Sequence, residues 1–153
     1  MPDRVHAEVP DKVQHQLCNN NTMSKYAIPY LTAFVVMVAL DMLWLRVIAV
    51  DWYKEGMGTL LTEQPNLVAA AAFYFLFPAG IVIFGVQLNN PDSGILHAAL
   101  MGGLFGFFAY ATYDLTNLAV IRNWPLGLSL LDLGWGTLVS AVTSAATKFI
   151  SRL

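Results

Sequence analysis

Four long apolar runs, separated by short polar breaks, set the plan of this chain. The first extends from Tyr26 to about Ile48 and the second from Asn66 to about Val86. The third extends from about Ile95 to Ala119, and the fourth follows Pro125. Each can cross a hydrocarbon core of about 30 Å at 1.5 Å per residue. The breaks carry turn chemistry: Pro65 before the second run, Asn89-Asn90-Pro91-Asp92-Ser93-Gly94 after it, and Trp124-Pro125 before the fourth. Pro29 falls in the first turn of the first run, where a missing N–H is tolerated. Pro78 lies well inside the second and predicts a kink that frees a carbonyl one turn earlier.

Between the first and second runs the period changes. Tyr53, Met57, Leu60 and Leu61 fall at i, i+4, i+7 and i+8, with Lys54, Glu55 and Glu63 elsewhere. That pattern predicts a short amphipathic helix lying in the membrane interface, with Trp52 at headgroup level. Gly102 and Gly106 in the third run, and Gly136, Ser140 and Ser144 in the fourth, form small-residue stripes. Such stripes let membrane helices approach closely, so the third and fourth helices are expected to pack together. The predicted fold class is therefore all-α. It is a polytopic membrane protein with four transmembrane helices in residues 26–150 and an interfacial helix between the first and second. Residues 1–25 are polar, mixed in charge and aperiodic, which predicts a disordered tail. Met23 is followed by Ser24-Lys25 and then by the first run, and offers an alternative start.

Composition agrees with that plan. Hydrophobic residues make up 57% and charged residues 12%, against about 25% charged in a typical soluble domain, which excludes an ordinary globular protein. A net charge of −2 gives no basic footprint for nucleic acid. Cys18 is the only cysteine, so an internal disulfide and a Cys-based metal site are both excluded. No cofactor or metal is called for. The expected partners are membrane lipids, with a second copy or a membrane-complex subunit left open. On an N-in arrangement Arg4, Lys12, Lys25, Lys148 and Arg152 fall inside and Arg46, Lys54 and Arg122 outside. That count favours N-in and C-in. A start at Met23 would remove Arg4 and Lys12, and the bias with them. Lys148 and Arg152 read as a positive flank at the chain's end.

The exceptions to the apolar pattern are the chemically informative positions. An aspartate at the centre of a membrane helix costs about 2.5–3.5 kcal/mol on insertion scales, so it needs a partner or a task. Asp41 lies in the second half of the first run, Asp114 near the end of the third and Asp132 early in the fourth. Alternate spans run in opposite directions, so all three fall in the half that holds residues 49–64 and 120–125. Trp44, Arg46, Arg122 and Trp135 are on that side too. Tyr110, Tyr113, Asp114 and Asn117 share one helical stripe at i, i+3, i+4 and i+7. Asp114 therefore has the densest set of potential partners and is expected to be the least replaceable carboxyl, with Arg46 or Arg122 as its cation. The spacing D-x-x-W recurs at Asp41/Trp44 and Asp132/Trp135, a hint of two-fold relation. His97 stands at the far end of the third span, outside this cluster.

Several of these residues also carry a resemblance. Y-x-x-Y-D-L-T-N-L from Tyr110, R-x-W-P from Arg122 and D-x-x-W-G-T from Asp132 stand with an early D-x-x-W-L and with Q-P-N-L before the second span. Together, over about Lys25 to Ile150, they closely resemble a bacterial family of predicted membrane proteins called domain of unknown function 2177. The resemblance implies a four-span membrane protein and carries no catalytic residue. From the residues themselves, the cluster Asp41, Trp44, Arg46, Tyr110, Tyr113, Asp114, Asn117, Arg122, Asp132 and Trp135 points to a site that binds or transports a small ion or molecule. The alternatives are a membrane-embedded enzyme acting on a lipid or small apolar substrate, and a structural or accessory subunit in which the carboxyls glue helices together.

Overall fold

The computed structural model describes residues 11–62 and 64–152. Among them every regular element is helical. Helix α1 spans Asp11–Leu43 and runs into one wide, π-helical turn, Trp44–Ile48. Helix α2, Val50–Met57, is the short element expected between the first two spans. It stops at Gly58, whose φ of 48° is open to glycine at little cost. Helix α3, Leu67–Gly80, continues as a π-helical stretch, Ile81–Gln87. Helix α4 is Ile95–Val120 and α5 is Leu126–Ile150. Four apolar segments result, Lys25–Ile48, Leu67–Gln87, Ile95–Val120 and Leu126–Ile150, each long enough to span a bilayer.

Local chemistry explains the boundaries. Asn66 caps α3 by accepting from the N–H groups of Val68 and Ala69 at 3.0 and 3.1 Å, the bonding an N-cap side chain supplies. Pro125 precedes α5, and Asn123, at φ 62°, turns the chain after α4. The disturbance expected at Pro78 takes the form of the wide turn that starts at Ile81, whose N–H bonds Phe77 and Pro78 carbonyls. Such turns absorb a break in the helical ladder.

One expectation about the first span changes. Pro29 is not in a first turn, because α1 already extends back to Asp11, and it is buried inside the helix. Residues 1–10 lie outside the described residues, while the backbone from Asp11 is helical and continuous with the first span. Propagating a helix from an existing one avoids the nucleation cost that an isolated polar segment would meet.

Packing is closest between α4 and α5. A Cβ added to Gly106 would meet the Gly136 carbonyl and the Ser140 side chain, and one on Gly102 would meet Ser144. The small-residue stripes thus face each other as expected. Helix α1 packs on α5 and α3, and α2 packs on α5. Met37, Ile81 and Val139, all fully buried, form the apolar centre, with Leu40, Tyr74, Phe77, Phe105 and Trp135 around it. Large apolar side chains such as Leu31, Val35, Phe75, Leu76, Phe108 and Leu130 point outward, the surface a lipid environment solvates.

Candidate functional site

The two D-x-x-W segments meet. Trp44 and Trp135 stack face to face, with ring centroids 4.3 Å apart and planes 4° from parallel. The Trp135 indole N–H donates to Asp41 Oδ1 at 3.1 Å, so the tryptophan of one segment serves the aspartate of the other. Tyr74 of α3 donates to Asp41 Oδ2 at 2.6 Å. Both carboxyl oxygens of Asp41, 4% exposed, are therefore engaged. A short helix and a charge-free span supply the hydroxyls: Tyr53 of α2 donates to Asp132 Oδ1. Burial, with the Asp132 carboxylate next to it, raises the Tyr53 pKa far above its ordinary phenol value, so this O–H stays a donor. The Trp44 indole lies beside Tyr53, and Trp52 meets Trp44 edge-on at 6.3 Å.

Asp114 differs. It is 0% exposed, and among the described residues neither of its carboxyl oxygens has a hydrogen-bond partner. Ser129 and Trp124 sit beside it, but the Trp124 N–H is given to Ser129 Oγ at 2.9 Å. The cation expected here does not arrive: Arg46 and Arg122 are both exposed. Arg122 follows α4 in a loop that turns outward, and only neighbours at i+3 or i+4 meet along one straight helix. Asp114 thus has the fewest partners of the three carboxyls, not the most. Along its stripe Tyr113 is 54% exposed and edge-on to Trp124 at 5.9 Å, and Asn117 is half-buried next to Tyr113. Tyr110 lays its ring over Gly136, where a Cβ would run into it. Asp41, Asp132, Trp44, Trp135 and Tyr110 are gathered in one place, and Asp114 borders it.

A cavity of about 470 Å³ opens beside this cluster, lined by Tyr53, Phe73, Phe77, Ala109, Tyr110 and Tyr113. It lies between α3 and α4, whose rings touch across it, with Phe77 5.2 Å from Phe105 and 5.8 Å from Tyr110. Tyr53 and Tyr110 form its inner wall, with Asp132 directly behind Tyr53. Toward the other membrane face, one helical turn beyond Asp41, the Met37–Ile81–Val139 core closes the bundle. The cavity volume and its mostly aromatic walls match those of sites for small ligands. Among the described residues no His, Cys, Asp and Glu group has the arrangement of a metal site.

Sequence reasoning missed Tyr53, Tyr74 and Ser129 as members. Tyr53 falls on an amphipathic stripe, and Tyr74 stands in a span with no charge to draw attention. Lys148 is also corrected. It is 6% exposed, and its Nζ donates to the Pro91 carbonyl at 2.9 Å, because the 89–94 turn folds over the end of α5. His97 stays at that far end, 3.2 Å from Asn89 Oδ1.

No curated protein and no solved structure matches the chain. The family model described as a predicted membrane protein, DUF2177, matches residues 26–149, which hold every member of the cluster and the four spans but for one residue at each end. This multi-pass membrane protein belongs to that family.

Proposed function

We propose that the chain binds a membrane-borne amphiphile whose head group is an ammonium or another hydrogen-bond donor. Its apolar body lies in the aromatic cleft between α3 and α4, and its head meets Tyr53 and Tyr110. The observation that carries this reading is the direction of the Tyr53 hydroxyl. Its proton is committed inward to Asp132, so toward the cleft the oxygen can only accept. Rings of Phe73, Phe77, Tyr110 and Tyr113 line the same space, and aromatic rings attract cations placed over their faces through the ring quadrupole. Asp132 behind Tyr53 adds negative charge at close range in a medium that screens it poorly.

The buried core above the cluster favours a site that loads from one side over a straight path through the bundle. Asp41 favours the structural alternative for itself alone, since both its oxygens are used to join α1 to α3 and α5.

The test compares a long-chain alkylammonium with the alcohol of equal chain length, each added to purified protein in a neutral detergent. The ammonium should raise the melting temperature clearly more than the alcohol, and Asp132→Asn should remove the difference. Equal shifts from the two compounds, or a difference that survives Asp132→Asn, would sink the reading.

A further inference from the structure

At the opposite membrane face, away from every carboxylate of the cluster, the chain ends of the bundle enclose a second cavity of about 420 Å³. Three cations line it: Lys25 at the start of the first span, and Lys148 and Arg152 at the end of the fourth. No acidic side chain is among its described lining residues, and Asp92 on the neighbouring turn is exposed and outside the lining. The pocket is held in shape by side chains that donate to main-chain carbonyls. Gln87 Nε2 donates to the Lys25 carbonyl at 3.3 Å and Arg152 Nη2 to the Ser93 carbonyl at 2.6 Å. Lys148 gives one of its donors to the Pro91 carbonyl at 2.9 Å. An ammonium has three donors, which leaves two for the pocket. This lysine is more than nine-tenths buried, and a buried ammonium whose partner among the described residues is a neutral carbonyl calls for an opposing charge.

We infer that this cavity is a binding site for a phosphate-bearing anion, with Lys148 as the buried anchor and Lys25 and Arg152 as outer clamps. Arginine and lysine lining one pocket suit a phosphate, which accepts from several donors at once. The rest of the lining is informative about the source. Ile28, Pro29, Val86 and Ile150 make an apolar wall continuous with the lipid-facing surface. A phospholipid headgroup with its acyl chains against that wall uses both halves of the lining, whereas free phosphate uses only the cationic half. Basic pockets between membrane helices at the headgroup level are known to hold anionic lipids in this way. The site is independent of the aromatic cleft and of what that cleft binds.

The experiment uses the full chain. Its melting is followed in nanodiscs of phosphatidylcholine alone and in discs with a graded fraction of phosphatidylglycerol. In parallel, inorganic phosphate is titrated into protein in neutral detergent. The same series is run on Lys25→Gln/Arg152→Gln, whose two side chains are exposed, and on Lys148→Gln. Wild type should be stabilised by phosphatidylglycerol. At about 1 kcal/mol per basic group near the membrane surface, the double variant should bind about thirty-fold more weakly, converted at 1.4 kcal/mol per tenfold. Stabilisation by phosphatidylglycerol that exceeds any effect of phosphate assigns the site to a lipid. Stabilisation by phosphate alone, lost in the variants, assigns it to a soluble anion. No response to either probe, or a response unchanged in both variants, overturns the inference.

Discussion

Helix α4 meets its neighbours in two opposite ways. In its first half Gly102, Gly103 and Gly106 are buried, and the chain lies against α5 so closely that a single added carbon at Gly106 has nowhere to go. In its second half Ala109, Tyr110 and Tyr113 line an open cleft, and the contacts toward α3 are ring to ring. Lipid tails are as apolar as the side chains, so helices in a bilayer gain little by hiding apolar surface from one another. Shape then decides. Where side chains are absent the backbones close up, and where large rings project the helices are propped apart. One helix thereby builds both a rigid seam and a receptive space.

The largest expected effect lies in the seam. Gly106→Leu should cost about 3 kcal/mol, the upper end for overpacking a tight site, while Ala109→Leu on the cleft side should cost under about 0.5 kcal/mol. Melting in detergent checks both, and equal losses would erase the distinction between the two halves. Next come the carboxyls. Asp41→Asn turns an NH₂ toward one of two donors, Tyr74 O–H or Trp135 N–H, and should cost about 2 kcal/mol for the unmade bond. Asp114→Asn breaks no recorded bond and should be close to neutral. A reversed order would mean that Asp114 bears the load, as its place on the tyrosine stripe had led one to expect.

A milder loss is expected at the cleft wall. The Tyr53 hydroxyl has a folded pKa above its ordinary value of 10.0, so the folded state holds that proton more tightly than the unfolded one. Its contribution is fully present below pH 10.0 and is lost as pH rises beyond it. Tyr53→Phe should lower stability by about 1 kcal/mol at neutral pH. It should also flatten the decline of melting temperature above pH 10.0. An unchanged alkaline slope would show that other groups set it.

Much of this was legible in the residues. Hydropathy and turn chemistry locate the spans because the bilayer demands a fixed length of satisfied backbone. Antiparallel geometry brings Asp41 and Asp132 to one level without knowledge of any contact. The facing of Gly106 by Ser140 follows from small-residue spacing. Partners were not legible. Tyr53 and Tyr74 reach their carboxylates from other elements, and no local pattern encodes which tyrosine of several turns inward. Opposite charge suggested Arg122 for Asp114, but the loop that carries it faces outward. Lys148 looked like a flank because nothing in its own helix shows that the 89–94 turn will cover it.

The wide turn after Pro78 has a consequence for how this sequence can vary. Closing a helical turn with one residue too many rotates everything downstream by roughly 100°. Before the turn, α3 leans on α1. After it, Ile81, Val82, Gly85 and Val86 are buried, and Gly85 receives Ser144 of α5. Removing one residue at lipid-facing Ile83, without touching any polar atom, would restore an ordinary helix and swing Gly85 off its serine. In this segment the number of residues, more than their identity, is what the architecture holds constant.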